Sequence, residues 1–237
     1  MIEFALVPIA FFTSAVAAAI GMGGGVLLIA LMPGLIPTAA IIPIHAITQL
    51  SSNVSRAAFG WQNIDWSMVP AIAVGATVGV LIGAEVYSGL DLQWLPAIIG
   101  VIILGITWFK LPQPSGKGRL SLALLGFYQT GLGMIAGATG PLGAAVLMHR
   151  SAERDWLVVN TAVYMSLNHG LRITAFALLG FAFGQWIVLI LAMSVAVIMG
   201  SWVGTKIRAY MPEKNFQLWF KVLLTLLALR MIIQSVF

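Results

Sequence analysis

Cysteine is absent from the 237-residue chain, which excludes disulfides, thiolate nucleophiles and Cys-ligated metal or iron–sulfur sites. Charge is scarce as well: 8% of residues are Asp, Glu, Lys or Arg and 60% are hydrophobic, against roughly 25% charged in an ordinary soluble domain. That excludes a soluble globular protein. At about 20 residues per crossing helix there is room for roughly eight or nine membrane segments and none for a soluble catalytic domain. Carboxylates are missing from the centre of every apolar block. The seven acidic residues, Glu3, Asp65, Glu85, Asp91, Glu153, Asp155 and Glu213, all fall at or near block ends, so a carboxylate proton relay or a cation site lacks its ligands. Paired acids, zinc-ligand spacing, a GK[ST] phosphate loop and a Ser-His-Asp set are not evident either. No catalytic residue, metal or cofactor is therefore expected. The N-terminal Met1-Ile2-Glu3-Phe4 lacks the basic region of a cleavable signal and reads as a mature first segment.

What is present is a series of apolar blocks at about 4 to 32, 38 to 60, 67 to 90, 92 to 109, 120 to 148, 156 to 183, 185 to 205 and 215 to 236. Backbone polar groups in hydrocarbon must be satisfied within the segment, and no ten-residue alternation of the barrel kind occurs, so the expected fold is an all-α polytopic membrane protein. The linker 112–119, with Pro112, Pro114, Gly116 and Gly118, falls near the midpoint and suggests a duplication: 1–111 as first repeat and 120–237 as second, together one transmembrane domain. The first block of each half is broken by glycine, at Gly21-Met22-Gly23-Gly24-Gly25 and at Gly137-Ala138-Thr139-Gly140-Pro141. One constant offset places Gly140, Ser166 and Asn168 on Gly25, Ser51 and Asn53.

Each broken block either crosses the membrane once or enters, turns at the glycines and returns. If all eight blocks cross, Lys110, Lys117 and Arg119 lie opposite Arg150, Arg154, Lys206, Arg208 and Lys214, against the cytoplasmic excess of basic residues in short loops. If the broken blocks are re-entrant, all of these share one face, and the other carries Glu3, Glu85, Asp91 and Arg230. The charges favour two inverted repeats, each a re-entrant helix pair plus three transmembrane helices, over eight spanning helices in parallel repeats. Both termini then face away from the cytoplasm. Trp61, Trp66, Trp108, Trp156 and Trp219 fall near inner ends and Trp94 and Trp186 near outer ones, as an aromatic belt requires. The arm before the first glycines, ~25 Å at 1.5 Å per residue, is long for a half-depth element.

A helix that restarts after Gly23, Gly24 and Gly25, or after Thr139 and Gly140, presents free N–H groups and partial positive charge, an arrangement suited to an anion. The alternative is that these glycines only let helices pack closely. The second block of each half carries a polar stripe: His45, Gln49, Asn53 and Arg56 with Ser52 beside them, and Asn160, Tyr164, Asn168 and Arg172. Three- and four-residue spacing puts each stripe on one helix face, and polar groups at that depth must face protein or water. Gln49 is expected to hydrogen-bond between helices. Arg56, near a block end, is expected to snorkel and Arg172, far from one, to attract an anion. His45 and His169 either relay protons or make interhelical hydrogen bonds. Together with the five residues of the glycine breaks, the two stripes and Ser52 form the candidate substrate-binding set.

The glycine cluster Gly21–Gly25 followed by Pro33 and Pro37, the segment Thr48-Gln49-Leu50-Ser51-Ser52-Asn53 and the duplication across the chain resemble the TauE/SafE sulfite exporter family, also grouped as 4-toluene sulfonate uptake permeases. The second copy departs from the family's pattern, with Ala138-Thr139 where glycines are typical. The resemblance implies a permease of the bacterial inner membrane that moves a small sulfur-containing anion such as sulfite, a sulfonate or sulfoacetate. An anion channel, an intramembrane enzyme and a scaffold are the alternatives. The expected partners are that anion and the lipid bilayer, with no nucleic acid and a homo-oligomer left open.

Overall fold

A computed structural model describes residues 1–20, 23–109, 118–151, 153–210 and 216–236; Gly21, Met22, Lys110, Lys117, Glu213 and Lys214 lie outside them. The described residues form helices and no strand. In chain order these are α1 (Leu6–Ile20), α2 (Gly24–Leu31), α3 (Thr38–Phe59), α4 (Val69–Ser88) and α5 (Leu95–Trp108), then α6 (Arg119–Ala136), α7 (Gly140–Met148), α8 (Arg154–Leu178), α9 (Ile187–Ile207) and α10 (Phe216–Val236). The stretches Ile2–Ile20, Trp66–Ser88 and Phe183–Ile207 are long and apolar enough to cross a membrane. Their outward faces are strongly apolar: Val74, Val78, Leu81 and Ile82 on α4, and Val188, Leu191, Val195, Ile198 and Met199 on α9, are all exposed. Water would not tolerate so continuous an apolar surface, and lipid does.

The two helices that carry the polar stripes, α3 and α8, pack against each other, and both are enclosed by neighbours, α3 by α9 and α8 by α4. Burial follows from composition, since Asn, Gln, His and Arg side chains cannot face hydrocarbon cheaply. Helices α4 and α6 pair closely, as do α1 and α9. A Cβ on Gly75 would lie 1.8 Å from the Ala123 carbonyl oxygen, one on Gly79 2.2 Å from that of Phe127, and one on Gly200 2.2 Å from that of Phe11. These crossings therefore depend on glycine, as small-residue contacts do in bilayers. The registers also give direction. Contacts advance together from Gly75–Ala123 to Gly83–Gly131 and from Gly200–Phe11 to Gly204–Ala15, so both pairs run parallel.

Helix α3 runs antiparallel to α8, and α5 to α10. His45 on α3 lies beside His169 on α8, whereas Gly60, at the end of α3, meets Val159 near the start of α8. On the fifth helices, Gly100 approaches Ala228 and Ile232, and Trp108 donates from Nε1 to Thr225 Oγ1 at 2.9 Å. Helix α3 also runs parallel to α9, with Thr48 near Met193 and Ser52 near Ser201, so α1 and α3 point the same way. The chain reverses between them. Arg230, late in α10, donates to the Pro33 carbonyl at 3.4 Å, which returns the end of α2 to the face where α1 begins. Helix α1 is not a half-depth arm: it reaches the level of Arg56, Arg154 and Arg208, and only α2 is short.

These directions bring Asp65, Arg119, Arg150, Glu153, Arg154, Asp155, Lys206 and Arg208 to one face, while Glu3, Glu85, Asp91 and Arg230 lie towards the other. Trp61 and Trp66 are exposed on the first face and Trp94 on the second. The aromatic side chains thus flank an apolar middle.

Candidate functional site

The last carbonyls of a helix have no partner within it and carry partial negative charge. In α1 three of them are met by arginine: Ala17 by Arg56 Nη1 at 3.4 Å, Ala18 by Arg208 Nε at 2.9 Å and Ala19 by Arg154 Nη2 at 2.7 Å. In α6 the carbonyls of Gly133 and Gly137 both accept from Arg172 Nη1 at 2.6 Å. Arg56 of α3 thus shares the closing of α1 with Arg154 and Arg208, and Arg172 of α8 closes α6.

After these closures the chain turns and restarts. Gly23, with φ of 92°, is the cap of α2, and Gly137, with φ of 70°, ends α6. Such backbone favours glycine. Neither α2 nor α7 has a side-chain cap on its first turn. The leading N–H groups of α2 lack intrahelical acceptors, whereas in α7 Pro141 has no N–H and that of Leu142 is taken by the Thr139 carbonyl at 3.1 Å. Gly24 is required for a second reason, because a Cβ there would lie 2.0 Å from the Thr13 carbonyl oxygen. The second turn also packs on α2, since a Cβ on Gly137 would meet Ile29 Cδ1 at 2.0 Å.

Both restarts open on one buried cavity of about 40 Å³. It is lined from the first half by Ala17, Gly23, Gly24, Gly25, Val26, His45, Gln49, Asn53 and Arg56, and from the second by Ala138, Gly140, Thr161, Met165 and His169. No carboxylate is among them. His45 shares Nε2 with the Gly25 carbonyl at 2.9 Å. Asn53 donates from Nδ2 to the Gln49 carbonyl at 2.7 Å and accepts at Oδ1 from Arg56 Nη2. Three buried polar atoms of the lining have no partner: His45 Nδ1, Thr161 Oγ1 and His169 Nε2. Buried polar atoms are seldom left so without a reason.

A wider cavity of about 410 Å³ opens at the basic face, lined by Arg56, Phe59, Gly60, Asn63, Glu153, Arg154, Asp155, Val159, Thr205 and Arg208. Arg56 lines both cavities. Its guanidinium stands between the vestibule and the central cavity, held by the Ala17 and Ser52 carbonyls and by Asn53.

Of the residues singled out from sequence, Gly23, Gly24, Gly25, His45, Gln49, Asn53, Arg56, Gly140 and His169 line the central cavity. The others have structural partners. Ser52 joins Ser14 and Ser201 in a hydroxyl cluster between α3, α1 and α9. Asn160 binds the Asn63 carbonyl and the Asp65 N–H, fixing the turn after α3. Tyr164 donates to the Gly140 carbonyl at 3.1 Å, Asn168 accepts from Thr130 at 2.6 Å, and Thr139 donates to the Gln129 carbonyl at 3.2 Å. Arg172 lies outside the lining with Nη1 committed to α6 and Nη2 to His169 Nδ1. Arg56 thus faces the cavity, and Arg172 supports a helix end. The sequence reading set no store by Thr161 and Met165, which sit one position beyond Asn160 and Tyr164 on α8.

Residues 6–231 match the model of the sulfite exporter TauE/SafE family. No curated protein and no solved structure matches the chain.

Proposed function

Because the chain belongs to the TauE/SafE sulfite exporter family, a family of membrane transporters, we propose that it carries a small sulfur-containing anion, sulfite or an organosulfonate, by alternating access. The observation that carries this reading is the convergence of two uncapped helix starts, one from each half, on a carboxylate-free cavity that also holds Arg56. Free N–H groups and helix dipoles aimed at one buried point favour an anion there. The arginine-lined vestibule supplies the approach, concentrating anions at the basic face by its field.

In this reading the halves 1–111 and 120–237 form an inverted repeat about the cavity, joined by the linker 112–119. The antiparallel pairing of α3 with α8 and of α5 with α10 supports it. The basic face is cytoplasmic by the excess of Lys and Arg in its short loops, so the protein sits in a bacterial inner membrane with both termini outside. Rocking one half against the other exposes the cavity alternately. For an exported monoanion an inside-negative potential supplies about 2.3 kcal/mol per 100 mV, enough to drive flux without a coupling ion. A carrier is favoured over an anion channel because Arg56 stands between the central cavity and the vestibule.

Purified protein in proteoliposomes, given radiolabelled sulfite and a short alkanesulfonate under an imposed potential, tests the reading. Saturable uptake is expected. Absence of uptake of both anions at every potential would end the proposal, and sustained single-channel currents would replace the carrier with a channel.

A further inference from the structure

The two imidazoles of the central cavity have opposite polarity. His45 Nε2 faces only the Gly25 carbonyl, an acceptor, so that nitrogen carries the hydrogen. A second proton on Nδ1 would bury an imidazolium whose N–H has no partner, which is costly. Nδ1 is therefore a lone pair. His169 is the reverse. Its Nδ1 faces Arg172 Nη2, a group that can only donate, so Nδ1 is the lone pair and Nε2 carries the hydrogen. The rings come from the two halves of the chain, on α3 and α8, and meet edge to face with centroids 5.9 Å apart.

The unpartnered atoms are thus one acceptor, His45 Nδ1, one donor, His169 Nε2–H, and one hydroxyl of either sense, Thr161 Oγ1. A fully deprotonated oxyanion offers acceptors only and leaves the His45 lone pair facing a negative oxygen. An anion with one O–H and at least one free oxygen satisfies both imidazoles, which are adjacent. Resting on the transport reading above, we infer that the site selects the monoprotonated form of its oxyanion, hydrogensulfite rather than sulfite: His45 Nδ1 accepts the O–H, and His169 Nε2 donates to another oxygen. Each turnover then carries one proton with the anion. The charged and titratable groups around the pair are Arg172 on α8, Arg56 on α3 and the Tyr164 hydroxyl. Helices α1, α2 and α7 contribute none, and α9 has only Lys206 at its far end.

The test compares hydrogensulfite with methanesulfinate in proteoliposomes, each corrected for flux into protein-free vesicles. The two have the same charge, and a methyl group replaces the hydroxyl. Hydrogensulfite is expected to enter about tenfold faster or more, since a site built for a hydroxyl rejects the analogue that lacks it. At constant total sulfite, uptake rises as the medium is acidified through the second ionisation, while methanesulfinate uptake stays level. His45→Gln retains a donor for the Gly25 carbonyl and moves the acceptor away from the Nδ1 position, so the preference falls towards one. His169→Asn retains an acceptor for Arg172 and removes the cavity donor, so both anions slow. Equal rates for the two anions in the unaltered protein, or uptake that follows the dianion, overturn this inference and leave the transport reading standing. If neither anion moves, both fall. The comparison in the unaltered protein decides the matter even if a variant does not fold.

Discussion

Arg172 stands to Gly133 in the second half as Arg56 stands to Ala17 in the first: each arginine, from the third helix of its half, donates to a carbonyl at the end of that half's first helix. A single constant shift along the chain carries both members of the first pair onto the second. The two differ in what else they touch. Arg172 Nη1 holds two carbonyls at 2.6 Å and its side chain is sealed from the cavity, whereas Arg56 lines both cavities.

Arg172→Ala should consequently act on stability. The buried Gly137 carbonyl loses its donor, at about 1–3 kcal/mol, while the Gly133 carbonyl keeps the Gly137 N–H at 2.9 Å, so the thermal midpoint in detergent is expected to fall, with transport lost in proportion to folded protein. Transport abolished in an Arg172→Ala protein of unchanged melting behaviour would return that residue to the anion site.

Glycines that look alike in sequence should separate sharply. Gly24→Ala forces a Cβ to within 2.0 Å of the Thr13 carbonyl oxygen and should cost about 1–3 kcal/mol as overpacking, together with transport, because it splays α1 from α2. Gly105→Ala and Gly170→Ala meet nothing within 4 Å. In a helix interior these should be neutral or stabilising by up to about 1 kcal/mol. Thermal melts of the three variants side by side check the contrast.

The absence of native cysteine allows a direct reading of topology. Single cysteines at Gln62 and Tyr210 should react with an impermeant thiol reagent from one side of the membrane, and those at Asp91 and Gln185 from the other. All four positions are exposed. Labelling of Gln62→Cys and Asp91→Cys from the same side would contradict the helix directions.

Arg208 in the vestibule is paired with Asp155 at 2.6 Å, and the carboxylate is largely exposed. Asp155→Asn removes negative charge from the entrance, so KM for an anion entering from that side should drop by about twofold to fivefold at low salt, within the 1 kcal/mol range of exposed pairs. Screening should erase the difference at high ionic strength. An effect that persists at high salt would mean that Asp155 acts through structure.

The sequence by itself determined the class. Scarce charge and long apolar blocks require a helical membrane protein, and the placement of the basic residues favours one folding of the glycine-broken blocks over the other. It also marked the stripe His45, Gln49, Asn53 and Arg56 on α3, all of which line the cavity. On α8 the same reasoning pointed to Asn160, Tyr164, Asn168 and Arg172, and tertiary structure decided otherwise: Thr161, Met165 and His169 line the cavity instead. That is a rotation of one residue, about 100°. Periodicity tells which residues share a face of a helix, but the direction of that face is set by neighbours, here by the glycine-dependent approach of α4 to α6 and by the carbonyls that take up Arg172. A polar stripe inside a membrane needs partners, and backbone carbonyls exposed by a broken helix satisfy it as well as a substrate does.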